Sequence, residues 1–337
     1  MRFEQAGCSK NFFLELQLSM RPFHFGININ PILVCVLLTA AQFSSAQTQT
    51  ADEWTSTVGN HYIVHPDQTY GFQNNMALKL DVWEPNLNEK PLPTLIYIHG
   101  GGWLFGDRTG AFPQLLPYFA RGWNVINVEY RMSGQSLAPA AVGDCLCALR
   151  WVYRNAKQYH VDVDRIVVTG HSAGGHLSLM LGVFDPASGL DSGCPADAAW
   201  GDVPMKVAAV INWFGPTDVN DLLAGKNRKN YAVAWLGNQE NAAAIAKKVS
   251  PLTYIRPGLP PIITVHGEFD DVVPYQHAVR LHEALTRAGV KNELVTIQGG
   301  KHGWFSDKET LDAYDKIWKF LNTNAPGLNQ DVPAARK

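Results

Sequence analysis

The sequence is poor in charged residues, in cysteine and in long apolar runs. Charged residues make up 17% of the 337 positions, against about 25% in an average soluble protein, and the formal net charge is only −2. Because no excess of positive charge surrounds the molecule, we do not expect it to bind nucleic acid. Five cysteines are too few for a fold held together by disulfides. Hydrophobic residues reach 46%, so the chain can bury a sizeable core and is not expected to be disordered.

The apolar run at residues 32–41 (ILVCVLLTAA) has ten residues, whereas a membrane-spanning helix needs about 20. The run suits the apolar core of a secretory signal peptide, because Arg21 precedes it and small residues end the segment at Ala46. We predict cleavage after Ala46, a secreted or periplasmic location and no stable membrane anchor. Met20 is a possible true start of the chain. A buried helix or a retained anchor is the alternative interpretation.

Short apolar strands alternate with helical patterns in residues 47–337, which we predict to form a single domain after removal of residues 1–46. This alternation predicts an α/β fold with a mostly parallel central sheet and helices on both faces. Ligands of such sheets bind at the carboxyl ends of the strands. Two strand-poor stretches, 185–206 and 216–258, are expected to be lid-like insertions or substrate-binding walls. The predicted strands are residues 77–83, 94–99, 124–129, 165–169, 207–214, 261–266 and 293–297, and the predicted helices are 144–159, 176–182, 276–288 and 309–321.

Three cysteines remain after the predicted cleavage, and an exported chain meets an oxidising compartment. Cys145 and Cys147 are two positions apart on a predicted helix, so they point in different directions and are not expected to pair with each other. Cys194 can pair with either of them and leave the other free. Three reduced, buried thiols are the alternative.

The predicted strand at residues 165–169 runs directly into GHSAGG at residues 170–175, and a helical pattern follows. G-x-S-x-G at a strand–turn–helix junction is the nucleophile elbow, in which a tight turn projects the serine hydroxyl above the sheet. The pattern therefore predicts Ser172 as a nucleophile. A glycine-rich turn without chemistry is the alternative.

A serine hydroxyl needs a neighbouring base, and a histidine that follows the serine and the acid in the chain supplies it in this arrangement. Among eleven histidines, His302 lies in a glycine-rich loop after the last predicted strand and is the predicted base. His171 and His176 flank the elbow too closely to serve. His277 and His282 fall on a helix and are predicted to be surface or interface residues. Activity should fall below about pH 6.5, where an ordinary imidazole becomes protonated.

The acid that orients the base is expected after the preceding strand. His266 ends that strand, and Asp270 in the loop after it is the predicted acid. Asp271 is the rival, interpreted as a helix-capping or solvent-facing residue. Asp218, after the strand before that, is a third candidate, whose alternative role is to cap the helix that follows.

Backbone N–H groups at the same sheet edge can hold a developing oxyanion. The segment HGGGW at residues 99–103 follows a predicted strand, and glycines there leave the backbone accessible. We predict that the N–H groups of Gly101, Gly102 and Ala173 form the oxyanion hole. A plain glycine loop is the alternative.

From about residue 62 to residue 321 the chain resembles the α/β-hydrolase superfamily. The similarity rests on HGGGW, Gly106-Asp107, Tyr130-Arg131, the segment ALRW at residues 148–151 and GHSAGG. More narrowly, the chain is similar to the BD-FAE group of feruloyl and acetyl-xylan esterase-like enzymes, relatives of the hormone-sensitive-lipase type. His171 stands where the lipase type usually has aspartate, which favours the feruloyl and acetyl esterase branch. The resemblance implies Ser172, Asp270 and His302 as the catalytic triad and Gly101, Gly102 and Ala173 as the oxyanion hole.

Together with the predicted export, the resemblance implies a secreted serine ester hydrolase that needs neither metal nor cofactor. Its expected substrates are acetyl or feruloyl esters of plant polysaccharide, or other short or aromatic esters, presented as small molecules or linked to polysaccharide. Asp107 and Arg131 are interpreted as a structural pair near the site. Trp200, Trp213 and Trp235 are candidates for stacking on a sugar or an aromatic ring, with core packing as the alternative. A peptidase or amidase with the same triad, and a binding protein without catalysis, are the competing functions.

Overall fold

The computed structural model describes residues 61–86, 90–194 and 205–328. These residues belong to one unit of the chain, Thr50–Lys337. Some predictions concern residues outside these ranges: the leader at residues 1–46, the start at Met20 and the role of Trp200. They remain predictions. Within the three ranges, no helix combines the length and the apolar character that crossing a membrane requires.

Eight strands of the described residues form one sheet in the order β1-β2-β4-β3-β5-β6-β7-β8. Strand β2 runs antiparallel to both β1 and β4, and all other neighbours are parallel. Strands β3, β4, β6 and β7 are buried at every residue, as expected for parallel strands covered on both faces. The bounds are β1 Tyr62–Gln73, β2 Met76–Pro85, β3 Leu92–Ile98, β4 Asn124–Val128, β5 Val161–His171, β6 Ala209–Trp213, β7 Ile262–Gly267 and β8 Asn292–Ile297.

Seven α-helices of the described residues cover the sheet. The buried side chains of α2, α3, α4 and α6 belong to one apolar cluster, and those of α1 and α7 belong to a second cluster. The sheet is therefore packed on both faces, which confirms the predicted α/β architecture. The helices are α1 Phe112–Phe119, α2 Ala140–Arg154, α3 Ala173–Gly182, α4 Asn230–Leu236, α5 Ala242–Lys248, α6 Gln276–Arg287 and α7 Asp307–Asn324.

All seven predicted strands and all four predicted helices are present, with shifted ends. Strand β1 was not predicted, because it pairs with β2 alone at the edge of the sheet and is largely exposed along its first half. Such a strand has no continuous apolar run to signal it. Helices α4 and α5 lie in the stretch 216–258, which is strand-poor as expected but has two short helices of seven residues each.

A disulfide joins Cys147 to Cys194, and Cys145 is free and buried. The alternative of three reduced thiols is therefore wrong. On α2, Cys145 and Cys147 point in different directions, and the loop that carries Cys194 passes Gly143, whose carbonyl oxygen lies 4.0 Å from Cys194 Sγ. Closing a loop with a sequence separation of 47 residues stabilises the fold by about 4 kcal/mol in chain-entropy terms.

His277 and His282 are not surface residues, contrary to the prediction; they are 0% and 7% exposed. His277 Nδ1 accepts the N–H of Thr217 at 3.0 Å, and His282 Nδ1 lies 2.8 Å from Asn292 Oδ1. Burial, reinforced by the neighbouring Arg280 guanidinium, lowers the pKa of His277 to about 3. Burial also lowers the pKa of His282 to about 4. Both rings therefore stay neutral in the folded protein at neutral pH.

These two histidines should make the protein less stable in mild acid. The unfolded chain takes up protons on them below about pH 6.5, whereas the folded chain does not until about pH 4 or below. The free energy of unfolding should therefore fall between pH 6.5 and pH 4, by up to about 1.4 kcal/mol per pH unit for each histidine. Urea unfolding at pH 7.0 and pH 5.5 measures the loss.

The variant His282→Asn keeps a partner for Asn292 but does not titrate, so its unfolding free energy should depend less steeply on pH. The variant His65→Gln changes a partly exposed histidine on β1 and should keep the wild-type dependence. Equal stability of the wild-type protein at the two pH values would contradict the expectation.

Candidate active site

Ser172 stands at the junction between β5 and α3, where the backbone turns sharply. Its φ of 55° and ψ of −118° are rare for a residue with a side chain, and such strain is typical of functional turns. The turn is held from behind, because Ser172 N–H donates to the carbonyl oxygen of Trp213 at 2.9 Å. A Cβ on Gly174 would lie 1.9 Å from the carbonyl oxygen of Ile98, so only glycine lets α3 begin this close to β3.

The structure brings Ser172, Asp270 and His302 together, although they are far apart in the chain. His302 lies in the loop between β8 and α7, with Nε2 2.9 Å from Ser172 Oγ and Nδ1 2.7 Å from Asp270 Oδ2. Because an ionised carboxylate only accepts hydrogen bonds, Nδ1 carries the proton and Nε2 is free to accept the serine hydroxyl. This is the geometry in which an imidazole can take a proton from a nucleophile.

The carboxylate of Asp270 is fully enclosed and receives donors on both oxygens. The N–H groups of Val272 and Val273 donate to Oδ1 at 2.8 Å each, and His302 donates to Oδ2. Burial by itself would raise the pKa of Asp270, but hydrogen bonds from His266 and His302 outweigh burial and hold that pKa well below its usual range. Asp270 is therefore ionised at any working pH.

The other two candidate acids have different surroundings. Asp218 Oδ2 pairs with Arg280 at 3.1 Å, and its Oδ1 accepts the N–H of Asp221 at 3.4 Å in a short 3₁₀ segment. Asp271 is exposed, and its backbone carbonyl accepts the Lys229 ammonium at 2.5 Å. The geometry thus selects Asp270 among the three.

The predicted oxyanion donors lie beside the elbow. A Cβ built on Gly100 would stand 3.6 Å from Ser172 Cβ, so the glycine loop passes next to the nucleophile. Gly101 has φ of +109°, and a Cβ there would meet the carbonyl oxygen of Phe105 at 1.8 Å. No hydrogen bond within the described part of the chain uses the N–H of Gly101, Gly102 or Ala173, so these three donors remain available.

A buried aromatic cluster supports the glycine loop from below. Trp103 is 0% exposed, stacks on Trp235 with ring centroids 4.1 Å apart and donates its indole N–H to His176 Nδ1 at 3.3 Å. His176 Nε2 in turn lies 2.7 Å from the carbonyl oxygen of Val249. Burial lowers the pKa of His176 to about 4, so the ring stays neutral and keeps this pair of contacts. Trp235 is therefore a support for the loop.

For Trp213 and Trp235 the alternative of core packing holds, whereas the interpretation of Asp107 and Arg131 as a pair is wrong. Trp213 and Trp235 cannot stack on a ligand, because they are 2% and 0% exposed; Trp213 stacks on His171 instead, with centroids 5.1 Å apart. Asp107 and Arg131 do not form a pair. Arg131 binds the buried Asp144 through Nε and Nη2 at 2.6–3.1 Å, because a buried carboxylate on α2 requires a charged partner.

Sequence reasoning missed three exposed aromatic side chains in the segments that carry the site residues. Trp304, Phe105 and Phe269 are 84%, 68% and 66% exposed. Trp304 is two residues from His302, Phe269 precedes Asp270, and Phe105 follows the glycine loop. The signal was available, since each lies in a segment already assigned to the site. Sequence reasoning also missed the contact between His266 and Asp270, at 3.2 Å.

Within the described residues, no group of three or more histidine, cysteine, aspartate or glutamate side chains is arranged to hold a metal ion. That the reaction needs neither metal nor cofactor remains a prediction. The side chains that are assembled can perform nucleophilic attack, proton transfer and stabilisation of an oxyanion.

This chain is similar to a known esterase family and to several proteins that are named esterases. The BD-FAE family model matches residues 80–285 of this chain. Esterase LipQ of Mycobacterium tuberculosis is 31% identical over 223 residues, which cover 62% of this chain and 50% of LipQ. This chain therefore spans half the length of that relative.

Two solved structures are similar over most of their length. A truncated carbohydrate esterase from gut microbiota is 25% identical, with a TM-score of 0.65 over 77% of this chain and 96% of that chain. Esterase 2 of Thermogutta terrifontis phosphorylated by paraoxon is 28% identical, with a TM-score of 0.64 over 80% and 95%. The same esterase has been solved with propionate and with butyrate bound. The fold is thus the α/β-hydrolase fold.

Replacing Gly101 by alanine should disable the glycine loop. The added Cβ cannot be accommodated 1.8 Å from the Phe105 carbonyl oxygen. The loop must therefore move, and its backbone N–H groups no longer point towards the oxyanion position. We expect Ser172 to react with a fluorophosphonate about 100-fold more slowly, the usual effect of losing one oxyanion donor. Gly110→Ala is the matched control, because nothing lies within 4 Å of the added atom. An unchanged rate in Gly101→Ala would contradict the assignment of the loop.

Proposed function

The chain belongs to the BD-FAE family, and from that membership we propose that it is a carboxylic ester hydrolase that acts through an acyl-enzyme on Ser172. One observation carries the proposal: His302 lies between Ser172 and Asp270, at 2.9 Å from the hydroxyl and 2.7 Å from the carboxylate. The esterase names of LipQ and of the two solved relatives support the same reaction class. Because the chain spans half of LipQ, the activity of the whole protein is part of the proposal.

In the proposed reaction, Ser172 Oγ attacks the acyl carbon while His302 Nε2 takes the hydroxyl proton. The carbonyl electron pair moves onto oxygen, where the N–H groups of Gly101, Gly102 and Ala173 stabilise the negative charge. The intermediate collapses, His302 gives its proton to the departing alkoxide, and an alcohol leaves. A water molecule then repeats the sequence on the acyl-enzyme: His302 takes its proton, the carboxylic acid leaves, and Ser172 regains its proton.

The charges around the base favour this cycle. Asp270 is ionised and stabilises the imidazolium that forms at His302. His171 lies close by, because its ring and that of His302 both pack against Phe214, with centroids 5.6 Å and 4.7 Å from it. Burial, together with the nearby His302, lowers the pKa of His171 to about 3. His171 therefore stays neutral and does not repel the imidazolium.

The proposed substrates are acetyl or feruloyl esters of plant polysaccharide, or other short or aromatic esters. The name of the gut carbohydrate esterase supports a sugar-linked ester, and the propionate and butyrate structures of esterase 2 support a short acyl group. The exposed rings of Trp304, Phe105 and Phe269, in the segments that carry the site residues, can stack on a sugar face or a feruloyl ring.

We further propose that the protein is exported after removal of residues 1–46. The disulfide between Cys147 and Cys194 supports this location, because disulfides form and persist in oxidising compartments.

Removing the nucleophile or the charge of the acid should abolish ester hydrolysis. We expect Ser172→Ala to lower kcat for p-nitrophenyl acetate at least a thousandfold, and Asp270→Asn to lower it by about 10⁴, because the amide no longer selects the correct imidazole tautomer. Asp271→Asn is the matched control: it changes the adjacent, exposed carboxylate and should leave kcat within about twofold. Retained hydrolysis and retained fluorophosphonate labelling in Ser172→Ala would disprove the proposal.

A substrate panel then separates the competing functions. Acetylated xylan, methyl ferulate, short p-nitrophenyl esters and a peptide amide should be compared by kcat/KM, with Ser172→Ala as the blank. We expect hydrolysis of the esters and no turnover of the amide. Turnover of the amide without the esters would indicate a peptidase, and turnover of neither would indicate a binding protein.

Export should leave a chain that begins at Gln47 and carries the disulfide. Intact mass after secretion by a bacterial host measures both features. Reductant should lower Tm in the wild-type protein and in Cys145→Ala, whose replaced thiol is free, but not in Cys147→Ala. A secreted chain that starts at residue 1 or 20 would contradict the cleavage site, and insensitivity of the wild-type protein to reductant would contradict the role of the disulfide.

A further inference from the structure

A second histidine lies against the carboxylate of Asp270. His266 is in β7, four residues before Asp270, and its side chain is fully buried. Its Nε2 lies 3.0 Å from the carbonyl oxygen of Val273 and 3.2 Å from Asp270 Oδ2. The proposed ester hydrolysis does not otherwise require this residue.

The neighbours of His266 determine which of its nitrogens carries a proton. Nε2 faces two oxygens that can only accept, the carbonyl of Val273 and the ionised carboxylate of Asp270, so Nε2 is the donor. Nδ1 is buried and has no hydrogen-bond partner among the described residues. The N–H is thus shared between the backbone of the acid turn and the carboxylate oxygen that His302 uses.

We propose that His266 is a positioning residue of the ester hydrolysis, which acts through Asp270 on the basicity of His302. The inference rests on the proposed function and assigns one more residue to it. Asp270 Oδ2 accepts a hydrogen bond from His302 at 2.7 Å and one from His266 at 3.2 Å. The N–H of His266 therefore stabilises part of the negative charge that would otherwise act on His302. A carboxylate that is shared in this way attracts the imidazolium of His302 less strongly, which favours the neutral ring that can act as a base.

His266 also holds the acid turn in shape. Val273 N–H donates to Asp270 Oδ1, and the carbonyl oxygen of the same residue accepts from His266. Val273, His266 and Asp270 are thereby joined in a closed ring of hydrogen bonds that links the end of β7 to the turn around the carboxylate. This second effect is structural, and a test must separate it from the electrostatic one.

Two tyrosines lie close to this cluster. Tyr231 donates to the carbonyl oxygen of Val272 at 3.0 Å, and the Tyr275 ring lies 5.7 Å from His266. Among the charged and titratable groups of neighbouring elements, His277 lies close enough to His266 to interact with it electrostatically, and His171 interacts with His302. Lys229 donates to the backbone carbonyl of Asp271, and Glu268 accepts the N–H of Gly299.

The test compares His266→Leu, which removes the N–H, with His266→Gln, whose amide N–H can reach the same position. In His266→Leu the full charge of Asp270 Oδ2 acts on His302. The acidic limb of the pH profile, that is, the pH at which kcat/KM falls to half on the acid side, should therefore rise by about 0.5–1 pH unit. We expect kcat at pH 7 to fall about tenfold, with KM changed less than twofold. His266→Gln should restore the wild-type limb and most of kcat.

Two further measurements keep the outcome decisive. The rate of fluorophosphonate labelling of Ser172 against pH reports the same limb without deacylation. His282→Asn is the control, since it replaces another buried histidine bound to Asn292 and should leave the limb in place. The inference would be overturned if the acidic limb of the pH profile did not shift in His266→Leu, or if it shifted equally in the control. Either result would leave the proposed function intact. Hydrolysis that survives Ser172→Ala would instead refute the function itself.

Discussion

The close approach of two backbones, at the carbonyl oxygen of Ile98, is the constraint on which the site depends. A Cβ on Gly170 or Gly174 would lie 2.3 Å or 1.9 Å from that oxygen. With glycine at both positions, β5 and α3 can meet directly beside the end of β3. The turn between them must then carry Ser172 at a positive φ, which directs the hydroxyl away from the packed sheet. The strain at Ser172 is maintained by the packed strands on either side.

The same edge of the sheet carries the glycine loop, and the stretch 216–258 holds that loop from the other side. Tyr231 on α4 packs against Gly102, 3.3 Å from where its Cβ would stand, and its hydroxyl donates to the carbonyl oxygen of Val272 beside the acid turn. Trp235 on the same helix stacks on Trp103. One short helix therefore contacts both a glycine of the loop and the turn of Asp270, so this stretch supports the site.

The site contains one ionised carboxylate, that of Asp270, surrounded by neutral aromatic and imidazole rings. Asp270 is held ionised by four donors, whereas burial keeps His171 and His176 neutral. A positive charge that forms on His302 consequently meets a carboxylate on one side and no other cation in the rings packed nearest to it. His266 adds a donor to that carboxylate at 3.2 Å, and its proposed role is to adjust the base through this contact.

Local patterns in the sequence were enough to predict the turn that carries Ser172, the glycine loop beside it, the order of Ser172, Asp270 and His302 in the chain, and the parallel sheet. Each of these depends on a few adjacent residues and on strand order. Asp270 was harder to choose, since Asp271 differs from it only in the direction its side chain takes. The tertiary structure alone decided which cysteine pairs with Cys194, that Arg131 binds Asp144, that Trp213 and Trp235 are buried, and that His266 reaches Asp270. Each of these depends on contact between side chains whose directions follow from packing, and no spacing along the chain encodes that packing.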